Sequence, residues 1–132
     1  MNNPSNPKFK ALLAKELDRI IERLKSKMIF VEGKRDKEAL VRMGCDNSRV
    51  LTISGNLRIS CERAKQEAEV VILTDMDRRG FEMLKRASET LEGYGVKPDT
   101  ETRSRLAHIL RLKYFEEMYR KYKKFMEENM KN

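Results

Sequence analysis

Val70-Val71-Ile72-Leu73-Thr74-Asp75-Met76-Asp77-Arg78-Arg79-Gly80 is the stretch that decides how this chain is read. Five apolar or β-branched residues run without polar alternation into two carboxylates, and a basic step and a glycine then lead into a helical pattern. A short apolar run bounded by charge marks a strand buried on both faces of a parallel sheet. Open α/β sheets place their ligands beyond the carboxyl ends of the strands, so Asp75 and Asp77 are expected at the ligand end. Spaced by the strand period of two, they point the same way in ideal strand geometry. Two carboxylates held together repel, and a shared proton or a bound cation relieves the repulsion. All-oxygen donors suit a hard divalent ion such as Mg²⁺, which keeps waters for a phosphate-bearing substrate. The same pattern also fits a loop, with one carboxylate capping the next helix and the other solvated.

A third acid shifts the balance towards a site. Met28-Ile29-Phe30-Val31 is a second buried-strand pattern, and Glu32 closes it, followed by Gly33-Lys34-Arg35-Asp36. Gly33 permits a sharp turn or positive φ, and Asp36 to Met43 then carries a helical pattern through Ala39, Leu40 and Met43. If the two strands are neighbours, Glu32, Asp75 and Asp77 meet at one sheet edge. Phosphoryl chemistry can use that arrangement, with Asp75 and Asp77 on metal and Glu32 as a ligand or proton-transfer group.

Working outward, Val50-Leu51-Thr52-Ile53 reads as another short parallel strand ending at Ser54-Gly55-Asn56, where turn formation is the first role and phosphate contact the second. Leu57 to Glu69 reads as a polar helix with a thin apolar face of Leu57, Cys61, Ala64 and Ala68. Gly80 to Leu91 reads as a helix with Phe81, Leu84, Ala87 and Leu91 on one face. Arg78 and Arg79 stand before it, either solvated or neutralising phosphate beside a metal. A short fourth strand is expected around Val96, and Pro98 argues against a long central one.

The flanks are helical. Met1 to Pro7 reads as a flexible lead or a cap for the next helix, and Lys8 to Lys27 repeats apolar residues at helical spacing. From Thr100 the pattern passes through Leu106, Ile109 and Leu110 and on through Tyr114, Phe115, Met118, Tyr119, Tyr122, Phe125 and Met126. It reads as one long helix or two nearly continuous ones, its aromatic stripe a packing surface. Nine Lys or Arg against four Glu between residues 103 and 132 allow that helix to follow a phosphate backbone, or to pair with another subunit through its stripe. His108 stands alone and reads as a surface or packing residue.

Composition bounds these readings. At 132 residues, 39% hydrophobic, the chain has enough material for one core. Twenty-nine Lys and Arg against 21 Asp and Glu give a net charge of +8 and a pI near 9.6, which favours polyanionic partners such as RNA or DNA. The absence of a long apolar run points away from the membrane and from secretion. Cys45 and Cys61 read as reduced thiols of a cytoplasmic protein.

Glu32-Gly33 followed by Asp75-x-Asp77-x-x-Gly80, with Val31-Glu32-Gly33-Lys34-x-Asp36 around the first acid, resembles the Toprim domain. That domain is shared by bacterial primases, topoisomerases, some nucleases and ribonuclease M5, and the chain looks closest to small stand-alone archaeal Toprim proteins. The resemblance covers residues 28–100 as the core, with a flanking helix in 1–27 and a helical extension in 101–132 packed on the same domain. It implies a compact α/β domain with a four-stranded, mainly parallel sheet flanked by helices. It also implies Glu32 as general acid/base, and Asp75 and Asp77 as ligands of Mg²⁺, with Mn²⁺ as its substitute. Gly33 would permit the turn after the glutamate, Gly80 would permit close approach around the acidic loop, and Lys34 would contact phosphate.

Two departures limit what carries over. The chain has no zinc-binding Cys/His cluster of a primase and no separate domain for the tyrosine machinery of a topoisomerase. Its leading functional expectation is a small Mg²⁺-dependent nuclease or RNA-processing enzyme. The alternative is a nucleic-acid-binding or assembly module without turnover, working with a protein partner or as a homodimer through its helical surfaces. Haloacid-dehalogenase phosphatases carry Asp-x-Asp near the first strand, receiver domains do not explain Glu32-Gly33, and no Gly-x-Gly-x-x-Gly run supports dinucleotide binding.

Overall fold

The computed structural model describes residues 6–129. Residues 1–5 of the expected lead, and 130–132 of the expected extension, lie outside the described residues. Helix α1 (Pro7–Leu24) precedes strand β1 (Met28–Val31), helix α2 (Lys34–Arg42), strand β2 (Val50–Thr52), helix α3 (Leu57–Ala64) and strand β3 (Glu69–Leu73). Helix α4 (Arg78–Gly93), strand β4 (Lys97–Asp99), helix α5 (Glu101–Leu110), a 3-10 turn (Phe115–Glu117) and helix α6 (Met118–Asn129) follow. The sheet order is β2-β1-β3-β4, and every pairing is parallel. The fold is thus an α/β domain whose four-stranded sheet is wholly parallel.

The alternation of side chains along each strand builds two cores. Ile29, Val31, Val71 and Leu73 face one side, against α1, α2, α5 and α6 through Leu17, Leu40, Leu106 and Met118. Met28, Phe30, Val70 and Ile72 face the other, against α3 and α4 through Cys61, Ala64, Leu84 and Leu91. Each fully buried large side chain contributes about 1.5–3 kcal/mol, so Phe30 and Phe115 are anchors of their respective faces. Connections from β1 run to one side of the sheet, through β2, and then back across to β3. The crevice at the carboxyl ends of β1 and β3 is therefore the topological switch point, the position where such sheets bind ligands.

Asn6 caps α1, its side chain accepting the N–H of Lys8 at 2.8 Å, and Pro7 takes the first helical position where its missing N–H is harmless. Pro98 sits in β4, an edge strand paired only with β3, where a missing donor is tolerated. No helix among the described residues is long and apolar enough to cross a membrane.

Several expected boundaries need correction. α3 stops at Ala64, not Glu69, because Glu69 already pairs with Lys97 in the sheet. α4 begins at Arg78, not Gly80, because Asp77 caps it. Phe81 is 55% exposed and does not share the face of Leu84, Ala87 and Leu91; the inward position of that turn is Gly80. The carboxyl-terminal helices are not nearly continuous. Arg111, with φ 54° in the left-handed region, ends α5, and an irregular stretch and the 3-10 turn intervene before α6. The stripe nevertheless packs: Phe115 and Met118 are buried, and Tyr119, Tyr122, Phe125 and Met126 lie against the same core.

Candidate functional site

β1 and β3 are adjacent and in register, Val31 opposite Leu73, so the residues that follow each strand leave the sheet side by side. Glu32 is buried, and its Oε2 accepts the backbone N–H of Asp75 at 2.7 Å. Its carbonyl accepts the N–H of Ser54 at 3.1 Å, tying in the end of β2. One glutamate thus joins three strand ends.

The two aspartates do not follow strand geometry. β3 ends at Leu73, and the chain must turn into α4 within the four residues from Thr74 to Asp77. Asp77 Oδ1 accepts the N–H of Gly80 at 2.7 Å and caps the helix, supplying an acceptor to a donor that has no partner inside the helix. Asp75 Oδ1 instead accepts the N–H of Phe115 at 2.8 Å. The two carboxylates thus meet different partners, and the strand period that would align them ends at Leu73, before they begin.

Gly80 is where close approach is real: a Cβ there would stand 1.9 Å from the carbonyl oxygen of Asp75. The Thr74 hydroxyl donates to the Gly80 carbonyl at 2.6 Å, pressing the first turn of α4 onto the loop. Gly33 is different. Its φ of −144° is extended, and an added Cβ would meet only Asp36 Oδ2, at 4.0 Å. Of the two roles expected for Gly33, a sharp turn or positive φ, the positive φ is absent: the chain enters α2 from an extended cap whose N–H donates to Asp36 Oδ2 at 3.0 Å.

Asp36 belongs to the same electrostatic group. Burial pushes the Asp75 carboxyl up to about 6; the Phe115 N–H opposes this, and the charges of Asp36, Glu32 and Asp77 add to it. Burial also raises Asp36, against the Gly33 N–H and with the charges of Glu32 and Glu116. The counter-charge comes from Arg103, which is 4% exposed. Its Nε donates to the Thr74 carbonyl at 2.7 Å and its Nη2 to the Asp75 carbonyl at 2.6 Å. Burial lowers its pKa, and Glu32, Asp75 and Asp77 work the other way.

Of the cations read as phosphate contacts, Lys34, Arg78 and Arg79 are all exposed. Arg79 donates to the Ser54 hydroxyl at 3.2 Å.

Among the described residues no three His, Cys, Asp or Glu side chains close on one point as a metal cage. Asp75 and Asp77 each spend one oxygen on a backbone N–H. What remains is a small all-oxygen set amid crowded carboxylates, the kind to which Mg²⁺ binds through one or two carboxylates while water and substrate phosphate complete its shell. The donor chemistry is of the oxygen type such an ion takes, and the described residues form no dedicated cage for it.

Asp36 and Arg103 were not singled out from the sequence as members of this cluster, although a signal was there. Asp36 continues the apolar stripe Ala39, Leu40, Met43, and Arg103 the stripe Leu106, Ala107, Leu110. A charge at a stripe position must be buried and therefore paired. The N–H of Phe115 had no such signal, because its approach to Asp75 depends on the break between α5 and α6.

No family model matches the chain. A UPF0292 protein of Thermococcus sibiricus is 33% identical over 115 residues, 84% of this chain and 91% of its own length. One from Pyrococcus abyssi is 41% identical over 96 residues, 71% of this chain and 73% of its own. One from Methanosarcina acetivorans is 39% identical over 104 residues, 72% of each. Among solved structures, a small protein from Aquifex aeolicus matches with a TM-score of 0.67 and 26% identity, covering 76% of this chain and 96% of that one.

Proposed function

This chain belongs to the UPF0292 family, and we propose that it carries out Mg²⁺-dependent phosphodiester chemistry on nucleic acid, as a small nuclease or RNA-processing enzyme of the Toprim kind. The observation that supports this reading is the placing of Asp75 at the switch point of a parallel sheet, where its carboxyl feels the charges of Asp36, Glu32 and Asp77 and Glu32 accepts its backbone N–H. A structural carboxylate has no need of three like-charged neighbours; a site that receives a cation does.

Asp75 and Asp77 would hold the ion, with Glu32 beside them. Bound there, Mg²⁺ would supply Lewis-acid stabilisation of charge on a phosphodiester. Glu32 moves a proton, and its position is fixed by the bond from the Asp75 N–H. Lys34, Arg78 and Arg79 bind substrate phosphate from the exposed rim. Arg103 keeps the Thr74–Asp75 backbone in place and offsets the negative charge from inside. The free, buried thiols Cys45 and Cys61 support a reducing compartment, the cytoplasm.

The test is cleavage of structured RNA, single-stranded RNA and DNA with Mg²⁺ or Mn²⁺, wild type beside Asp75→Asn and Glu32→Gln, each checked for folding. Metal-dependent cleavage lost in both variants is the expected result. Cleavage unchanged in both would sink the site. One observation favours a second reading, a nucleic-acid-binding or assembly module without turnover: both aspartates already accept backbone N–H groups, and the Phe115 segment closes on Asp75. Salt-sensitive binding with no cleavage across that substrate set would support it.

A further inference from the structure

α3 and α4 lie on the same face of the sheet, and between them runs an open groove of about 1090 Å³. Leu57, Met83 and Tyr94, each partly buried, give it an apolar floor. Arg58, Arg63, Arg79 and Arg86 line its walls. Among the described residues none of these four meets a carboxylate within ion-pair distance. Of the ten arginines outside the groove, Arg23, Arg35, Arg49, Arg105 and Arg120 each have an acidic partner. The groove also carries two acids, Glu82 and Glu62, and Glu62 is held by Lys65 at 2.6 Å and feels the charge of Arg58. Among the described residues the groove thus gathers four guanidinium groups against two carboxylates, with none of the four in a direct ion pair.

We propose that this groove binds single-stranded nucleic acid, with phosphates on the four arginines and bases against the Leu57, Met83 and Tyr94 floor. Charge complementarity selects a polyanion. The apolar floor then selects among polyanions, because a single strand exposes base faces beside its phosphates whereas a duplex hides them. An acidic peptide would satisfy the arginines and leave the floor unused.

The groove also leads to the acid cluster. Ser54 lines it, takes a hydrogen bond from Arg79 at 3.2 Å and donates its own N–H to the Glu32 carbonyl. A strand lying between α3 and α4 is thereby delivered to the carboxyl ends of β1 and β3. This inference rests on the phosphodiester reading of that cluster and assigns it a substrate form and a path.

Binding of a labelled single-stranded oligonucleotide of about twelve nucleotides, and of its paired duplex, is followed by fluorescence anisotropy in EDTA between about 50 and 200 mM salt. Wild type, the Arg58→Ala/Arg86→Ala double variant, a control double variant Arg19→Ala/Lys124→Ala on exposed α1 and α6 positions, and Asp75→Asn are compared. The expected result is tighter binding of the single strand than of the duplex. The groove variant loses about tenfold, with a salt slope shallower by about 1.4 from two lost phosphate contacts; the control does not. Wild-type affinity in the groove variant overturns the groove, as does equal displacement of the oligonucleotide by polyglutamate of matched charge. Because EDTA removes metal chemistry, the two ideas fail separately. Groove-dependent binding without any metal-dependent cleavage overturns the enzymatic reading alone. Cleavage lost in Asp75→Asn, with binding unaffected by the groove variant, overturns the groove alone.

Discussion

The Asp75 carboxylate accepts the backbone N–H of Phe115 at 2.8 Å across 40 positions of sequence. The carboxyl-terminal segment therefore closes on the acid loop, and it does so where burial and three neighbouring carboxylates already disfavour charge. Asp75 is pushed up to about 6 from 3.8. A carboxyl that holds its proton more tightly folded than unfolded takes one up on folding between those values. The protein should accordingly lose stability as pH rises from about 4 to about 6, and stay at the lower level above. Asp75→Asn keeps an acceptor for Phe115 and removes the charge. It should be more stable than wild type at pH 7.5 by about 1–2 kcal/mol, discounted for partial exposure, and lose that advantage at pH 4. Mg²⁺ should raise the Tm of wild type above pH 6 and leave the variant unmoved. Thermal denaturation at the two pH values, with and without Mg²⁺, checks both; a variant no more stable than wild type at pH 7.5 contradicts the assignment.

Arg103 should be the most sensitive cation in the chain. It is buried and bridges the carbonyls of Thr74 and Asp75. Arg103→Met leaves both carbonyls short of a donor and the acids without their internal counter-charge, a loss of about 3 kcal/mol. Arg103→Lys should recover little, since one ammonium cannot reproduce a fork aimed at two carbonyls. Urea denaturation of the two variants measures this, and a lysine variant as stable as wild type would refute the bridging role.

The sheet was legible because its strands are short apolar runs that end in charge, and β1 and β3 were expected within a residue of where they stand. What a linear reading cannot carry is how the chain behaves once such a run ends. The spacing of Asp75 and Asp77 implied a shared direction only while β structure lasted, and Leu73 ends it. The rhythm from Leu106 to Met126 conceals the break at Arg111, because a left-handed residue is usually signalled by glycine or asparagine and here it is arginine. The meeting of Asp75 with Phe115 depends on that break, so this part of the site could not be read from local pattern.

The two glycines of the acid motif should behave oppositely. Gly80→Ala would drive a methyl group to 1.9 Å from the Asp75 carbonyl oxygen, so α4 or the acid loop must shift. A loss of about 3 kcal/mol or more is expected, together with any metal-dependent activity. Gly33→Ala meets nothing closer than 4.0 Å on an extended backbone and should stay within about 1 kcal/mol of wild type. Paired melting curves decide it; equal losses in the two would mean that close approach is not what Gly80 provides.

Arg111 offers a gain. Its φ of 54° costs a side-chain-bearing residue about 1–2 kcal/mol, and glycine returns part of that through its greater unfolded-state freedom. Arg111→Gly should therefore stabilise by about 0.5–1 kcal/mol, seen as a Tm rise of a few degrees. The backbone bond from Arg111 to the Ala107 carbonyl that ends α5 is retained. A lower Tm would show that the arginine side chain contributes more than its backbone conformation costs.

Asp77 is asked to do two things, and substitution can separate them. As cap of α4 it needs only an oxygen that accepts the Gly80 N–H, which asparagine also has. As a cation ligand it needs charge, which asparagine lacks. Asp77→Asn should keep the wild-type Tm within about 0.5 kcal/mol and abolish the metal-dependent activity. Asp77→Ala should lose the activity and about 1 kcal/mol of stability besides. If Asp77→Asn cleaves as well as wild type while Asp77→Ala only melts earlier, the carboxylate is a helix cap and Asp75 and Glu32 must be sufficient for the ion. Melting and cleavage measured on the same preparations make the distinction, because capping and ligation predict different rank orders for the same three proteins.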